Sequence, residues 1–168
     1  NRNDSRVDQG GGNGSIVAQI GNRNDSRVDQ GGENGSIVAQ IGNRNDSRVD
    51  QGGYNGSIVA QIGNRNDSRV DQDQYNVSIV AQLGNRNDSR VDQDGEGDNG
   101  SLVAQLGWRN MSTVTQNGYE NISGVLQAGW DNTSTVTQTG SGHLSGVLQI
   151  GAGNMSTVTQ SGGGPTID

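Results

Sequence analysis

The chain has 168 residues, 27% of them apolar, with 29 Gly, no Cys, no Phe and a net charge of −7. Leu, Ile, Val and Phe together fill only 32 positions, too little bulk for a conventional globular core. A disulfide scaffold and a thiolate metal site are excluded, and no apolar run approaches the roughly 18 residues of a membrane span. What remains is disorder, or an architecture that needs no ordinary core.

Order along the chain separates the two. The template N-x-S-x-V-x-Q starts at Asn3, Ser5, Val7, Gln9 and returns at Asn13, Ser15, Val17, Gln19. It recurs to Asn154–Gln160, giving 15 copies, with His143 once replacing the Asn. Odd copies carry charged intervening residues at first (Asp4, Arg6, Asp8), and even copies apolar ones (Ile16, Ala18, then Ile20). The full period is therefore two copies: 21 residues for four steps, then 23, then 22 twice. Within a copy the spacing is two, the period of a strand, in which alternate side chains share a face. Between copies lie links such as Gly10-Gly11-Gly12 and Ile20-Gly21-Asn22-Arg23, which read as turns.

Each pair of copies thus predicts one flattened strand–turn–strand–turn coil. The fold class is all-β, a β-solenoid of about seven and a half coils stacked parallel and in register at about 4.8 Å. Residues 1–161 form the solenoid and 162–168 a short tail. The inner ladder contains Asn3, Ser5, Val7, Gln9, Asn13, Ser15, Val17 and Gln19 at one end, and Asn132, Gln138, Gln149, Asn154 and Gln160 towards the other. Stacked Asn and Gln amides bond along the axis, as in steric zippers. The opposite phase would bury Asp4, Arg6 and Asp8, at heavy desolvation cost.

The signature Gln-x-Gly-x-x-Asn-x-(Ala/Ser)-x-x-x-Gln resembles the curlin repeat. It is clean at Gln19-x-Gly21-x-x-Asn24, Gln127-x-Gly129-x-x-Asn132 and Gln149-x-Gly151-x-x-Asn154, each continuing to a Ser and a Gln. Departures fall in turns: Gln9 to Asn13 is one residue short, Gln72 to Asn76 lacks the Gly, and Gln93 to Asn99 is one residue long. The resemblance to curlins, subunits of curli fibres, implies a secreted protein of a Gram-negative bacterium. It would cross the outer membrane by a dedicated pore, be nucleated by a minor curlin, and polymerise outside the cell as functional amyloid of the biofilm matrix. No secretion signal precedes Asn1, so the sequence reads as a mature or ordered fragment.

Three surfaces are candidates for function. The ends of the stack, marked by Asn3, Val7 and Gln9 and by Asn154, Val158 and Gln160, offer unpaired strand edges for head-to-tail growth as a homo-polymer. The outer face of the even copies carries apolar columns that include Ile16, Ala18, Ile20, Ile37, Ile41, Ile58 and Ile62. They cover on the order of 450 Å², a size typical of contact surfaces, and suit lateral bundling of fibrils. The odd outer face carries Asp, Arg, Asp columns in which Arg can pair with Asp on either side. Three late rungs replace them with Thr113/Thr115, Thr135/Thr137 and Thr157/Thr159, a pattern similar to ice-binding solenoids.

No acid–base pair stands apart from the repeat, so no enzyme, cofactor or metal site is expected. The formal N-x-S sequons are expected to be unglycosylated because the Asn column is inside. A pI of 4.5 speaks against nucleic-acid binding. The expected function is structural, in adhesion and biofilm cohesion. The alternative is a monomeric β-solenoid binding module of ice-binding or adhesin type.

Overall fold

The computed structural model describes residues 2–163. It contains fifteen strands: β1 (Asp4–Gln9), β2 (Gly14–Asn22), β3 (Asp25–Gln30), β4 (Gly35–Asn43), β5 (Asp46–Gly53), β6 (Gly56–Asn64), β7 (Asp67–Gln74), β8 (Val77–Asn85), β9 (Asp88–Glu96), β10 (Gly100–Trp108), β11 (Met111–Tyr119), β12 (Ile122–Trp130), β13 (Thr133–Ser141), β14 (Leu144–Ala152) and β15 (Met155–Gly163). Odd strands form one eight-stranded parallel sheet and even strands a seven-stranded one. Every strand therefore pairs with the strand one full coil away, never with its sequence neighbour. This is an all-β solenoid of about seven turns.

Register follows the repeat. Ser26 pairs with Ser47, Val28 with Val49 and Gln30 with Gln51, and the same identity-to-identity pairing runs through both sheets. The apolar core is two facing columns of one residue type, from Val28 and Val38 to Val136 and Val147. The flanking Asn, Ser and Gln are buried with them. Coils of 21, 22 and 23 residues stack together because the surplus residues lie in turns. Between β7 and β9 the pairing shifts by one after Gln72, so that Gln74 meets Glu96.

The turns are tighter than the Gly-rich links suggest. Strand pairing continues through Ile20, Gly21 and Asn22, and the reversal is carried by a single left-handed residue, Arg23 at φ 59°. The glycine two places earlier lets the paired strand bend: Gly63 has φ 125°, and a β-carbon there would overlap the carbonyl oxygen of Gly84 on the next coil. This is the physical reason for the Gly in Gln-x-Gly. At the C-terminal end β15 runs through Gly162 and Gly163, two residues past the solenoid boundary expected at 161. The rest of that tail, 164–168, lies outside the described residues, as does Asn1.

Replacing Gly63 with Ala should destabilise the solenoid by at least about 3 kcal/mol. Hydrogen exchange should show the loss concentrated in the coils on either side of residue 63, because each coil touches only its neighbours.

Candidate functional site

The inner seam is a set of amide ladders. In the odd sheet Gln30 Nε2 donates to Gln51 Oε1 at 2.8 Å, Gln51 to Gln72 at 2.9 Å and Gln72 to Gln93 at 2.8 Å. The even sheet repeats this with Gln40 to Gln61 at 2.8 Å and Gln61 to Gln82 at 2.9 Å. The second proton of each even Gln crosses the seam: Gln61 also donates to the Asp46 carbonyl at 2.7 Å. Each Asn joins two coils differently. Asn45 Oδ1 accepts the Asn66 backbone N–H at 3.1 Å, and Asn45 Nδ2 donates to the Gly63 carbonyl at 3.0 Å. The Ser hydroxyls, among them Ser26, Ser47 and Ser68, are buried without a hydrogen-bond partner.

His143 fits the same scheme. Its backbone N–H donates to Asn121 Oδ1 at 3.1 Å, and its Nε2 lies 3.0 Å from the Gly162 carbonyl. An imidazole N–H thus takes the place of the Asn amide. What it cannot reproduce is an oxygen acceptor for the next Asn, and no described strand lies beyond β14 in that sheet.

At the stack ends the ladder residues are less covered. Val7 is 41% exposed, Asn3, Ser5 and Gln9 are exposed, and Asn13, Ser15, Val17 and Gln19 are half-buried. Asn132, Gln138 and Gln149 are buried, whereas Asn154, Val158 and Gln160 are half-buried. Among the described residues nothing pairs with the outer edges of β1, β2, β14 and β15.

The apolar columns sit on the outer face of the even sheet. Ile16 and Ile20 are about two-thirds exposed, and Ile37, Ile41, Ile58 and Ile62 slightly under half. Ala18 lies between the Ile16 and Ile20 columns. Strand pairing aligns Ile37 with Ile58 and Ile41 with Ile62, one coil apart.

On the odd outer face the Arg residues do not divide themselves between two Asp columns. Arg27 pairs with Asp29 at 2.6 Å, Arg48 with Asp50 at 3.1 Å, Arg69 with Asp71 at 3.0 Å and Arg90 with Asp92 at 2.9 Å. The other column, Asp25, Asp46, Asp67 and Asp88, makes no such pair among the described residues. Partial burial, then the charges of Asp46 and Asp88, push the Asp67 carboxyl up to about 6. Burial raises Asp46 and Asp88 too, with Asp25 adding to the shift of Asp46.

The residue just before each ladder Asn is a feature that the sequence reading passed over. On one edge it is Arg2, Arg23, Arg44, Arg65, Arg86, Arg109 and then Asp131. On the other edge it is Glu33, Tyr54, Tyr75, Asp98 and Glu120, with Tyr54 and Tyr75 stacked at 5.1 Å. The signal was present as a recurring Asn-Arg-Asn, but net charge hides a segregation of sign by edge.

Comparison with known families bears on the later coils. The curlin associated repeat matches at residues 107–140 and 129–162. Residues 107–162 carry curlin repeats. The earlier copies keep the inner Asn, Ser, Val and Gln of these curlin repeats and stack in the same register, so one architecture spans both. Curlin repeats on a β-solenoid are a structural rather than an enzymatic arrangement. No curated protein matched the chain. No helix of the described residues is long and apolar enough to cross a membrane.

The acidic column sets a pH dependence. Asp67 binds its proton more tightly folded than unfolded, so its ionisation opposes folding. Stability should therefore rise as pH falls from about 6 towards 3.8, because the native state then holds the extra proton. Asp67→Asn should stabilise the protein at pH 7.5 by up to about 1 kcal/mol, since the site is partly screened by solvent. It should also flatten the pH profile of thermal unfolding.

Proposed function

We propose that this chain is the structural subunit of a curli-like extracellular fibre that grows end to end. The reading rests on one observation: the inner contacts between successive coils repeat from coil to coil. Odd and even strands share the same inner Asn, Ser, Val and Gln, and each pairs in register with its own kind one coil away. A second copy placed on β15 or β1 would make the odd-sheet contacts that interior coils already make, while the even sheet, one strand shorter, leaves one strand position to be filled at the junction. The amide ladders support this further, since the terminal Gln and Asn side chains keep donors and acceptors pointing along the axis.

Proteins with curlin repeats are generally extracellular curli. By that resemblance the proposal extends to secretion across an outer membrane through a dedicated pore with its chaperones, nucleation by a minor curlin, and a role in biofilm cohesion and adhesion. The apolar columns of the even face would then bundle fibrils laterally. A stack of several subunits prolongs each column into a continuous stripe, and a stripe gains area with length as an isolated patch does not.

Purified full chain at micromolar concentration should form thioflavin-binding fibres, with diffraction spacings of about 4.8 Å along the axis and about 10 Å across it. A monomer that stays monodisperse for days would overturn the proposal. In fibres of the triple variant Ile16→Thr, Ile37→Thr and Ile58→Thr, electron microscopy should show single filaments in place of bundles, with elongation unchanged. Bundling that persists in this variant would remove the lateral role of the even face.

A further inference from the structure

The turn arginines line a groove of about 950 Å³ along one edge of the solenoid, built from Arg2, Arg23, Arg44, Arg65 and Arg86 with Asn22, Asn43, Asn64 and Asn85. Trp108 closes one end, with the Arg109 guanidinium 4.3 Å from its ring centre and that of Arg86 at 5.9 Å. Asn amides form a ladder along the groove: Asn43 donates to Asn64 and Asn64 to Asn85, each at 3.0 Å.

Among the described residues these arginines have no acidic partner. No carboxylate of the described residues lies within 4.0 Å of Arg23, Arg44, Arg65 or Arg86, in contrast to the strand arginines, each of which holds an Asp. Like charges one coil apart, about 4.8 Å, repel one another. The backbone adds a cost. Arg23, Arg44, Arg65 and Arg86 have φ of 59° to 60°, a conformation that Gly, Asn or Asp adopts with less strain. Later coils do use Asp131 and Gly153 at this position. Four consecutive coils thus hold a strained, self-repelling and unneutralised cation where a neutral small residue would fold better.

We infer that this edge is a binding groove for an extended acidic polysaccharide, a chain of uronate units whose carboxylates meet the arginines and whose hydroxyls meet the asparagine amides. One cation per coil recurs at about the length of one sugar unit in an extended chain. The Asn amides offer both donors and acceptors, as hydroxyl groups require. A nucleic acid fits less well. Single strands are held by rows of aromatic side chains on which bases stack, and the one aromatic residue of this groove already stacks on Arg109.

The test uses the full chain, as monomer or as fibre, and fluorescence anisotropy with labelled oligogalacturonate about ten units long. Binding should weaken with salt, and free galacturonate should compete poorly, since each single contact is weak and affinity comes from their number. Replacing Arg23, Arg44, Arg65 and Arg86 together with Gly should lower affinity at least tenfold, about 1.4 kcal/mol. Circular dichroism should show the fold kept, because Gly suits this turn. Replacing Arg27, Arg48, Arg69 and Arg90 with Gln should leave binding unchanged. Equal losses in both sets would indicate unspecific charge attraction and overturn the proposal, as would undiminished binding by the Gly variant. A deoxythymidine oligonucleotide of the same charge that binds more tightly, with the same dependence on the groove arginines, would replace the polysaccharide with a nucleic acid. Because the groove is present in a single chain, failure here leaves the fibre reading intact, and failure to form fibres leaves this one testable.

Discussion

A buried primary amide has two N–H donors and an acceptor to satisfy, and leaving any of them unpaired in a dry seam costs about 1–3 kcal/mol. Gln61 meets that demand through Gln40, Gln82 and the Asp46 carbonyl, and only an identical amide one coil away offers the right reach and direction. This fixes parallel strands, in-register pairing and a period of two along each strand. It also fixes the place of glycine, because the carbonyls that receive the Asn amides belong to the bending residues such as Gly63 and Gly84. The amides all point the same way along the axis, so each polarises the next. Valine fills what is left between the ladders.

The solenoid was legible in the sequence because its constraint acts on residue type at fixed spacing. Asn, Ser, Val and Gln recur together, and the charges of Asp4, Arg6 and Asp8 choose which face is inside. Turn geometry was less legible. Ile20-Gly21-Asn22 reads as a loop, yet it stays paired, because glycine's freedom allows a strand to bend without leaving its neighbour. The charge pattern was the least legible. The spacing of Arg27 from Asp25 and Asp29 is the same, and which carboxylate it takes depends on side-chain geometry that spacing does not record. The arginine edge escaped notice because composition averages it against the opposite edge.

The outer surface divides into regions of different chemistry although the interior is uniform. The odd face neutralises one of its two Asp columns and leaves the other charged. The even face is apolar, one edge is cationic, and the other is acidic with a stacked Tyr54–Tyr75 pair. A core that tolerates any outward residue gives each face its own freedom to change. The last three odd copies illustrate this, with Thr in place of the charged columns and no change in register.

The one-residue shift after Gln72 and the longer link from Gln93 to Asn99 bear on how the chain finds its alignment. Ladder bonds such as Gln30 to Gln51 span 21 residues, so folding advances as a zipper from any formed pair rather than by assembling distant parts. In the first four coils, which are nearly identical, a slip by one whole coil would re-form almost every ladder bond, and the seam itself could hardly tell the slipped pairing from the native one. The irregular coil breaks that degeneracy. It can stack on its neighbours at full length in only one alignment, so it acts as an index mark from which the identical coils are counted.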